Sequence, residues 1–188
     1  MKITTAYNQS YNTQFLPKEV RRFLFLLILT VLGVGSAWAQ DPEPEPTVSK
    51  WDGTTVAKAF ASGSGTQADP YIINSAAELA YFGSQMNGKT YYVKLTTDID
   101  LDNREWTYGK NSATNFKGHF DGNGKTISNL SIVPTSAKNN GFFSSLQGTA
   151  ASRAEVKNLI IDGVTISQTA DLAGTTITGA LAGNVTEY

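Results

Sequence analysis

Residues 116–132 read F-K-G-H-F-D-G-N-G-K-T-I-S-N-L-S-I, and this stretch decides the fold of the 188-residue chain. At its centre, Asp121 to Gly124 places two glycines around an asparagine. These residue types adopt positive φ angles at little steric cost, so we predict a tight turn between two short strands. The apolar residues that flank the turn are Phe116, Phe120, Ile127, Leu130 and Ile132.

A similar strand phrase returns further along the chain, at residues 156–161. It matches Ile127, Asn129, Leu130 and Ile132 with Val156, Asn158, Leu159 and Ile161. In the other direction, Ile99 precedes Ile127 by a nearly equal interval. Such an interval is typical of one coil of a solenoid, in which each rung buries its apolar side on the next. We therefore predict an all-β solenoid in which Ile99, Ile127 and Val156 form one interior column and Leu130 lies over Leu159.

One segment carries a helical pattern. Ser75 and Glu78 have the spacing of a capping box, whose side chains bond the free N–H groups at a helix start. Apolar residues follow on one helical face at Leu79, Phe82 and Met86, and Asn87-Gly88 ends the pattern. We predict one short N-terminal capping helix that covers the first rung of the solenoid.

The last part of the chain resembles the start of another coil. Ile177, Leu181 and Val185 lie within Gly174–Tyr188, and no polar closing segment follows them. A terminal rung exposes apolar surface and strand edges unless something covers it. We expect that the sequence is a truncated reading of a longer repeat protein, continuing the same solenoid, or that residues beyond about Gly183 pair with another chain.

The N-terminal region has the pattern of a secretory signal peptide. Basic residues precede an apolar run over residues 23–34, and Ala37-Trp38-Ala39 follows with small residues at both ends. The run is shorter than the about 20 residues that a membrane-spanning helix needs. We therefore interpret residues 1–39 as a signal peptide that is cleaved between Ala39 and Gln40, with an uncleaved anchor as the alternative.

Residues 40–50 form an acidic, proline-alternating linker ahead of the predicted repeat domain at residues 51–188. The linker is expected to stay extended, either as a stalk or as a plain leader to the first strand. Residues 40–188 contain 11 Lys and Arg against 15 Asp and Glu, a net charge of −4, so no basic face suggests nucleic-acid binding. The chain has no cysteine, which excludes disulfides and a thiol-linked lipid anchor.

The region from about residue 51 onward resembles the secreted GLUG-type β-helix proteins of Bacteroidetes-like bacteria. The most specific match is F-x-G-x-F-D-G-N-G-x-T-I at residues 116–127, and L-T-x-D-I-D-L at 95–101 adds to it. The Gly-Leu-x-Gly signature occurs in altered form at residues 179–183. The resemblance implies a right-handed parallel β-helix on an exported surface protein. It implies no catalytic residue, because its motif residues are architectural.

Four aspartates are the first candidates for chemistry. Asp98, Asp100 and Asp102 alternate with apolar residues on one strand face, and Asp121 follows about one coil later. Oxygen-rich clusters suit Ca²⁺, and paired carboxylates suit the cleavage of sugar bonds. The alternative is that these side chains are solvated or cap local turns. We favour the second interpretation and predict no catalytic, metal-binding or cofactor-binding residue.

The remaining candidates have structural interpretations. His119, the one histidine, is predicted to be an exposed strand residue opposite Phe120. Asn129 and Asn158 are interpreted as a stacked amide ladder, with two solvated turn residues as the alternative. The large aromatic residues are interpreted as core plugs rather than sugar-stacking platforms; they are Trp51, Trp106 and Tyr108.

Three classes of function remain open at this point. We favour a non-catalytic, secreted or cell-surface module that is adhesin-like and binds an extracellular glycan or a host-surface protein. A carbohydrate-active β-helix enzyme, such as a polysaccharide lyase or glycosidase, would need the aspartates to converge in a groove with a basic residue. A purely structural spacer in a larger surface protein is the third class.

The signal-peptide interpretation makes a direct prediction. We expect N-terminal sequencing of the exported protein to start at Gln40, because the small residues Ala37 and Ala39 fit the cleavage pattern. Exported material that retains Met1, or that starts well after Asp41, would contradict it.

Overall fold

The computed structural model describes residues 47–110, 115–135, 138–168, 171–172 and 174–186. All of them belong to one compact unit, Pro44–Tyr188. The predicted signal peptide, its cleavage site at Ala39 and Gln40, and residues 40–46 of the linker lie outside the described residues.

Short strands and one helix make up the described part of the chain. The helix is α1 (Ala76–Gln85). The strands are β1 (Val48–Lys50), β2 (Tyr71–Ile73), β3 (Tyr92–Leu95), β4 (Asp98–Asp100), β5 (Asn115–Phe116), β6 (His119–Asp121), β7 (Thr126–Ser128), β8 (Ser131–Ile132), β9 (Asn139–Asn140), β10 (Phe143–Gln147), β11 (Glu155–Lys157), β12 (Ile160–Asp162), β13 (Thr165–Ile166), β14 (Ile177–Thr178) and β15 (Ala182–Thr186). The predicted all-β class, with one short helix, is confirmed for the residues that the structure describes.

The strands form five sheets in which every pairing is parallel. Sheet I has the order β1-β4-β7-β12, sheet II the order β2-β3-β6-β11, and sheet III the order β5-β10-β15. Sheet IV pairs β8 with β13, and sheet V pairs β9 with β14. From β5 to β9 the chain visits sheets III, II, I, IV and V, and from β10 to β14 it visits them again in the same order.

The register of sheet I confirms one predicted pair and corrects another. Ile99 lies beside Ile127, as the sequence interval between them predicts. Ile127 then pairs with Ile161, whereas Val156 belongs to sheet II and pairs with Phe120. The predicted column that includes Val156 is therefore wrong.

The second predicted column, Leu130 over Leu159, is wrong for the same reason. The pairing of Ser131 with Thr165 places Leu130 beside Val164 instead. The two similar sequence phrases occupy two different turns, one after sheet I and one after sheet II. The local conformation repeats there, but the position in the fold does not.

The predicted turn within residues 116–132 is present and has a tight geometry. The N–H of Lys125 donates to the carbonyl of Gly122 at 2.8 Å, and the residues between them, Asn123 and Gly124, have φ angles of 53° and 73°. Two successive positive φ angles define a type I′ turn, which explains the Asn-Gly sequence. Here the turn joins β6 of sheet II to β7 of sheet I, so it forms a corner rather than a hairpin.

Residues that point inward from the sheets form one aromatic-rich core. Alternation along each short strand buries the central side chains of β4, β6 and β7, which are Ile99, Phe120 and Ile127. Helix α1 adds Phe82, whose ring centroid lies 5.3 Å from that of Phe116 and 5.2 Å from that of Phe120. The core is therefore shared between the helix and the sheets.

Both predicted capping residues bond backbone N–H groups at the start of α1, but Glu78 bonds the N–H of Asn74 instead of that of the N-cap residue Ser75. The Ser75 hydroxyl accepts from the Glu78 N–H at 3.3 Å, while the Glu78 carboxylate accepts from the N–H of Asn74 at 2.7 Å. The Ser49 hydroxyl of β1 accepts a further bond from the Ala76 N–H. The predicted apolar face of Leu79, Phe82 and Met86 is fully buried.

The large aromatic side chains near the first sheets are core residues. Trp51 and Trp106 are buried and meet edge to face with centroids 5.8 Å apart. The Trp106 indole donates to the Phe142 carbonyl at 2.9 Å and stacks on the Phe142 ring. Tyr108 packs on Trp106 at 4.9 Å. The interpretation as core plugs is confirmed for Trp51 and Trp106, while Tyr108 is partly buried against the core.

The buried position of Leu130 gives a stability prediction. Leu130→Ala removes a fully buried side chain, so it should lower the free energy of unfolding by about 2–5 kcal/mol through lost burial and a residual cavity. Chemical denaturation measures the change, and Leu181→Ala serves as a matched control because Leu181 is exposed. Equal denaturation midpoints for Leu130→Ala and wild type would contradict the packing.

Candidate functional site

The outer face of sheet II carries the group of aromatic and charged side chains that we take as the candidate site. Because side chains alternate along a strand, burial of Val93 in β3 turns Tyr92 and Lys94 outward, and burial of Phe120 in β6 turns out His119 and Asp121. The parallel register then places Tyr92 beside His119 and Lys94 beside Asp121. Strand β11 extends these two columns with Glu155 and Lys157.

Tyr92 and His119 form a stacked pair on this face. Their ring centroids are 4.1 Å apart, and the planes are inclined by 7°. The pairing of β3 with β6 brings the two rings together, since directly opposite side chains of neighbouring strands lie within reach of each other. In this face-to-face arrangement each ring covers one face of the other, and both side chains are half-buried.

Two polar side chains from a later part of the chain, Ser152 and Glu155, lie beside the imidazole of His119. Its Nε2 atom lies 3.1 Å from the Ser152 hydroxyl, and its Nδ1 atom lies 3.5 Å from a carboxylate oxygen of Glu155. The side chain is 19% exposed. His119 does lie opposite the buried Phe120, as predicted, but the prediction that it is exposed is wrong. Ser152, on the loop before β11, and the Tyr92 ring both contact the imidazole.

Charged side chains of both signs run beside the stacked pair. Register places Asp121 between Lys94 and Lys157, and the Lys157 ammonium lies 3.2 Å from the Glu155 carboxylate. Partial desolvation favours the neutral form of Asp121, but hydrogen bonds from the Asn158 amide and the Asn123 N–H outweigh it and lower the pKa of Asp121. The hydrogen bond from Lys157 lowers the pKa of Glu155. Both carboxylates are therefore held as anions.

These side chains line a groove of about 330 Å³. Gln67 and Pro70, from the segment before β2, form part of its wall. The groove combines an aromatic surface with hydrogen-bond donors and acceptors, as sites for small polar ligands do. A larger cavity of about 480 Å³ lies beside the loop 148–154, but it is lined mainly by small residues, so we place the candidate site in the groove.

The other predicted acidic residues lie outside this groove. Asp98 accepts a hydrogen bond from the Thr126 N–H at 2.8 Å, and Asp100 accepts one from the Asn129 amide at 2.7 Å. Asp102 pairs with Lys50 at 2.8 Å. Asp98 and Asp100 belong to sheet I, whereas Asp121 belongs to sheet II. Asp100 also caps a local turn, as predicted, by accepting from the Asp102 N–H at 2.8 Å. The bonds from Thr126 and Asn129 join separate strand layers, which the interpretation as solvated or turn-capping side chains did not include.

Within the part of the chain that the structure describes, no group of three or more His, Cys, Asp and Glu side chains is arranged to hold a metal ion.

Asn129 and Asn158 do not stack on each other, so the predicted amide ladder is wrong. Each has a positive φ angle, 56° and 53°, and each donates its side-chain amide to an aspartate of the preceding strand layer. Asn129 bonds Asp100, and Asn158 bonds Asp121. The amides therefore connect neighbouring layers as expected, but through Asn–Asp pairs at two different corners.

The sequence interpretation missed Tyr92 as a functional candidate. The signal was present in the Y-Y-V-K-L run at residues 91–95, where alternation turns Tyr92 and Lys94 to one side. Tyr91 packs against the core aromatics instead, with its ring 6.1 Å from that of Phe116. The approach of Tyr92 to His119 depends on a register that the sequence spacing did not reveal.

Two curated proteins are similar to this chain over most of its length. Halomucin from Haloquadratum walsbyi is 33% identical over an alignment of 153 residues, and the match covers 73% of this chain and 2% of halomucin. A protein from Evansella cellulosilytica described as a Gly-rich membrane protein is 32% identical over an alignment of 138 residues, and the match covers 70% of this chain and 15% of that protein. The chain thus matches only a small part of each relative.

No family model matches the chain, and no solved structure matches it significantly. Among the residues that the structure describes, no helix is long and apolar enough to cross a membrane.

The Asn129–Asp100 contact gives a prediction with a defined pH dependence. Asn129→Gly keeps the positive φ angle accessible but removes the amide, so it should cost about 1–3 kcal/mol of unfolding free energy at pH 7. The hydrogen bonds from Asn129 and the Asp102 N–H lower the pKa of Asp100 in the folded state. Stabilisation by this carboxylate is therefore complete above its unfolded pKa of about 4 and is lost as the pH falls through the lower folded pKa.

Denaturation of wild type and variant across the acidic range measures this effect. The difference between them should shrink below about pH 4. Asn123→Gly is the matched control, because Asn123 is an exposed turn residue with a similar φ angle. A control that is as destabilised as Asn129→Gly, or a difference that does not change with pH, would disprove the role of the amide.

Proposed function

We propose that this chain is a non-catalytic, secreted or cell-surface module that folds as a right-handed parallel β-helix and binds a glycan in the groove of sheet II. The β-helix is supported by the repeated passage through the five sheets in one order and by parallel pairing throughout. Right-handedness is supported by a general rule, since parallel crossover connections are right-handed in about 98% of cases.

Helix α1 fits the proposed role of an N-terminal cap. Sheet I begins with β1 and sheet II with β2, whereas sheet III begins with β5 and sheet V with β9. Among the described residues, sheets III and V therefore have no strand from the part of the chain before β5. The Phe82 ring of α1 packs on the rings of Phe116 and Phe143, which belong to sheet III. A helix in this place shields core that an earlier strand layer would otherwise cover.

The proposed membership of the GLUG-type β-helix proteins is supported by the positions of the motif residues. A Cβ atom on Gly122 would lie 2.5 Å from the Cα atom of Leu159, so the close approach of two layers requires glycine there. Asn123 and Gly124 supply the positive φ angles of the corner. The most specific part of the resemblance thus corresponds to residues that the corner needs.

A location at or outside the cell surface is supported by two observations of different kinds. The N-terminal pattern up to Ala39 predicts export. The relative from Evansella cellulosilytica is described as a membrane protein.

The stacked pair of Tyr92 and His119 is the observation that carries the proposal of glycan binding. A sugar ring presents an apolar C–H face together with many hydroxyl groups. Aromatic side chains with a polar end suit such a ligand, and Lys94, Asp121 and Lys157 supply donors and acceptors beside the rings. A host-surface protein is less well matched, because the groove is small compared with a standard protein interface.

The electrostatics of the groove support binding rather than catalysis. A general acid that works near neutral pH needs a raised pKa, whereas the pKa values of Asp121 and Glu155 are both lowered. The hydrogen bonds from Asn158 to Asp121 and from Lys157 to Glu155 favour the charged forms.

A glycan array followed by calorimetry on the best ligand tests this proposal. Tyr92→Ala should weaken binding about tenfold or more, corresponding to the loss of about 1.4 kcal/mol of stacking. Lys157→Ala should weaken it as well. Lys125→Ala is the matched control, because Lys125 pairs with Asp98 on the neighbouring sheet I and should leave affinity unchanged.

Three results would contradict the proposal in different ways. The absence of any glycan ligand would favour the structural spacer. Unchanged glycan affinity in Tyr92→Ala would mean that the binding site lies outside the groove of sheet II. Release of sugar in an activity screen on acidic polysaccharides would favour the lyase or glycosidase and contradict the non-catalytic assignment.

A further inference from the structure

Four aromatic side chains come together where sheet II begins, apart from the groove. Phe60, from the stretch between β1 and β2, stacks on Tyr71 of β2 with ring centroids 4.4 Å apart. It also meets Tyr81 of α1 at 5.1 Å and Tyr91, just before β3, at 6.0 Å, in both cases edge to face. Phe60 therefore contacts three tyrosine rings that come from three different parts of the chain.

Backbone hydrogen bonds on both sides of Phe60 fix its place. The Ala57 N–H donates to the carbonyl of Ala77, in the first turn of α1, at 2.9 Å. The Ile72 N–H of β2 donates to the Ser62 carbonyl, also at 2.9 Å. The chain around Phe60 is thus held against α1 on one side and β2 on the other.

The four rings line a pocket of about 400 Å³, which we call the aromatic pocket. Gln85 and Lys89 line it as well, and both side chains are exposed. Among the described residues that line the pocket, Lys89 is the only one with a charge. Because no carboxylate accompanies the ammonium group there, the pocket favours an anionic ligand over a cationic one.

The Tyr91 hydroxyl has an unused hydrogen-bonding capacity in this cluster. It is buried, and no described residue bonds it. Leaving a buried hydroxyl unpaired costs about 1–3 kcal/mol. Burial raises the pKa of Tyr91, and the neighbouring Tyr81 and Tyr71 add to the effect, so the group stays protonated at neutral pH and remains a donor. A ligand oxygen that accepts from this hydroxyl removes the cost.

We propose that the aromatic pocket binds an acidic sugar, the uronic acid unit of a polysaccharide, with its carboxylate at Lys89. The apolar C–H face of a sugar ring packs on aromatic side chains, and its hydroxyl groups suit Gln85 and the tyrosines. An aromatic acid would also use the rings and Lys89, but it would leave these other polar groups without partners.

The sugar reaches the Tyr91 hydroxyl when the Phe60 ring turns aside. Phe60 contacts all three tyrosines and lies outside the strands and the helix, where a side chain moves at lower cost than one held in β2 or α1. The aromatic pocket and the groove share no lining residue. The inference therefore does not rest on glycan binding in the groove, and the two can fail separately.

Calorimetry of the full chain with a galacturonic acid trimer tests the proposal, and the neutral galactose trimer should bind at least tenfold more weakly. Lys89→Gln should weaken binding of the acidic trimer about tenfold or more, because it removes a charge-assisted hydrogen bond. Lys138→Gln is the matched control, because Lys138 is an exposed lysine outside the pocket. Lys157→Gln alters the groove and should likewise leave this affinity unchanged.

A second variant separates binding from packing. Tyr91→Phe deletes only the unpaired hydroxyl, so the free protein should melt at the same or a higher temperature than wild type. Binding of the acidic trimer should nevertheless weaken about fivefold or more, because the ligand loses a hydrogen bond. Tyr92→Phe makes the same change in the groove and should leave this affinity unchanged.

Several results would overturn the proposal. They are the absence of binding of the acidic trimer, unchanged affinity in Lys89→Gln or Tyr91→Phe, and a preference for benzoate, an aromatic acid, over the sugar acid. Binding that Lys157→Gln abolishes and Lys89→Gln preserves would place the acidic sugar in the groove and overturn this inference alone.

Discussion

Parallel pairing between very short strands is the constraint on which this structure depends. A strand of two to five residues cannot satisfy its backbone groups or bury its side chains alone, so each pairs with a strand from a distant part of the chain. Because side chains alternate, a slip of one residue would turn Phe120 or Ile127 to solvent. The corners therefore have to fix the register, and the Asn129–Asp100 and Asn158–Asp121 hydrogen bonds do so between successive layers.

The sequence predicts the local structure well and the long-range register only in part. Local signals act within a few residues, so the Asn123-Gly124 turn, the capping residues of α1 and the alternation around Ile99 were recognisable. The pairing of Ile127 with Ile161 was not recognisable, because the same Asn-Leu phrase serves two different corners. The similarity between residues 127–132 and residues 156–161 therefore reflects a shared local conformation and not neighbouring positions in the sheets.

In the candidate site, too, the sequence predicts the local orientation of side chains but not the contacts that depend on strand register. The outward direction of Lys94 and Asp121 follows from alternation alone, and it needs only the identity of one buried neighbour. The stack of Tyr92 on His119 depends on the register of β3 with β6, two strands that are distant in the chain. His119 was therefore interpreted from its own strand as exposed, although a neighbouring strand and the loop before β11 contact it. A site assembled from side chains of three strands is not visible in any single stretch of sequence.

The loop at residues 148–154 has a consequence for how such a protein evolves. Along sheet II the chain from Phe120 to its partner Val156 is longer than the chain from Val93 to its partner Phe120, yet the pairing does not shift. Most of the added length is taken up between β10 and β11, where doubling a loop costs only about 0.6 kcal/mol in closure entropy. Insertions and deletions there can change Ser152 and the wall around His119 while every inward side chain keeps its place. The ligand preference proposed for the groove can thus diverge between descendants that retain one scaffold.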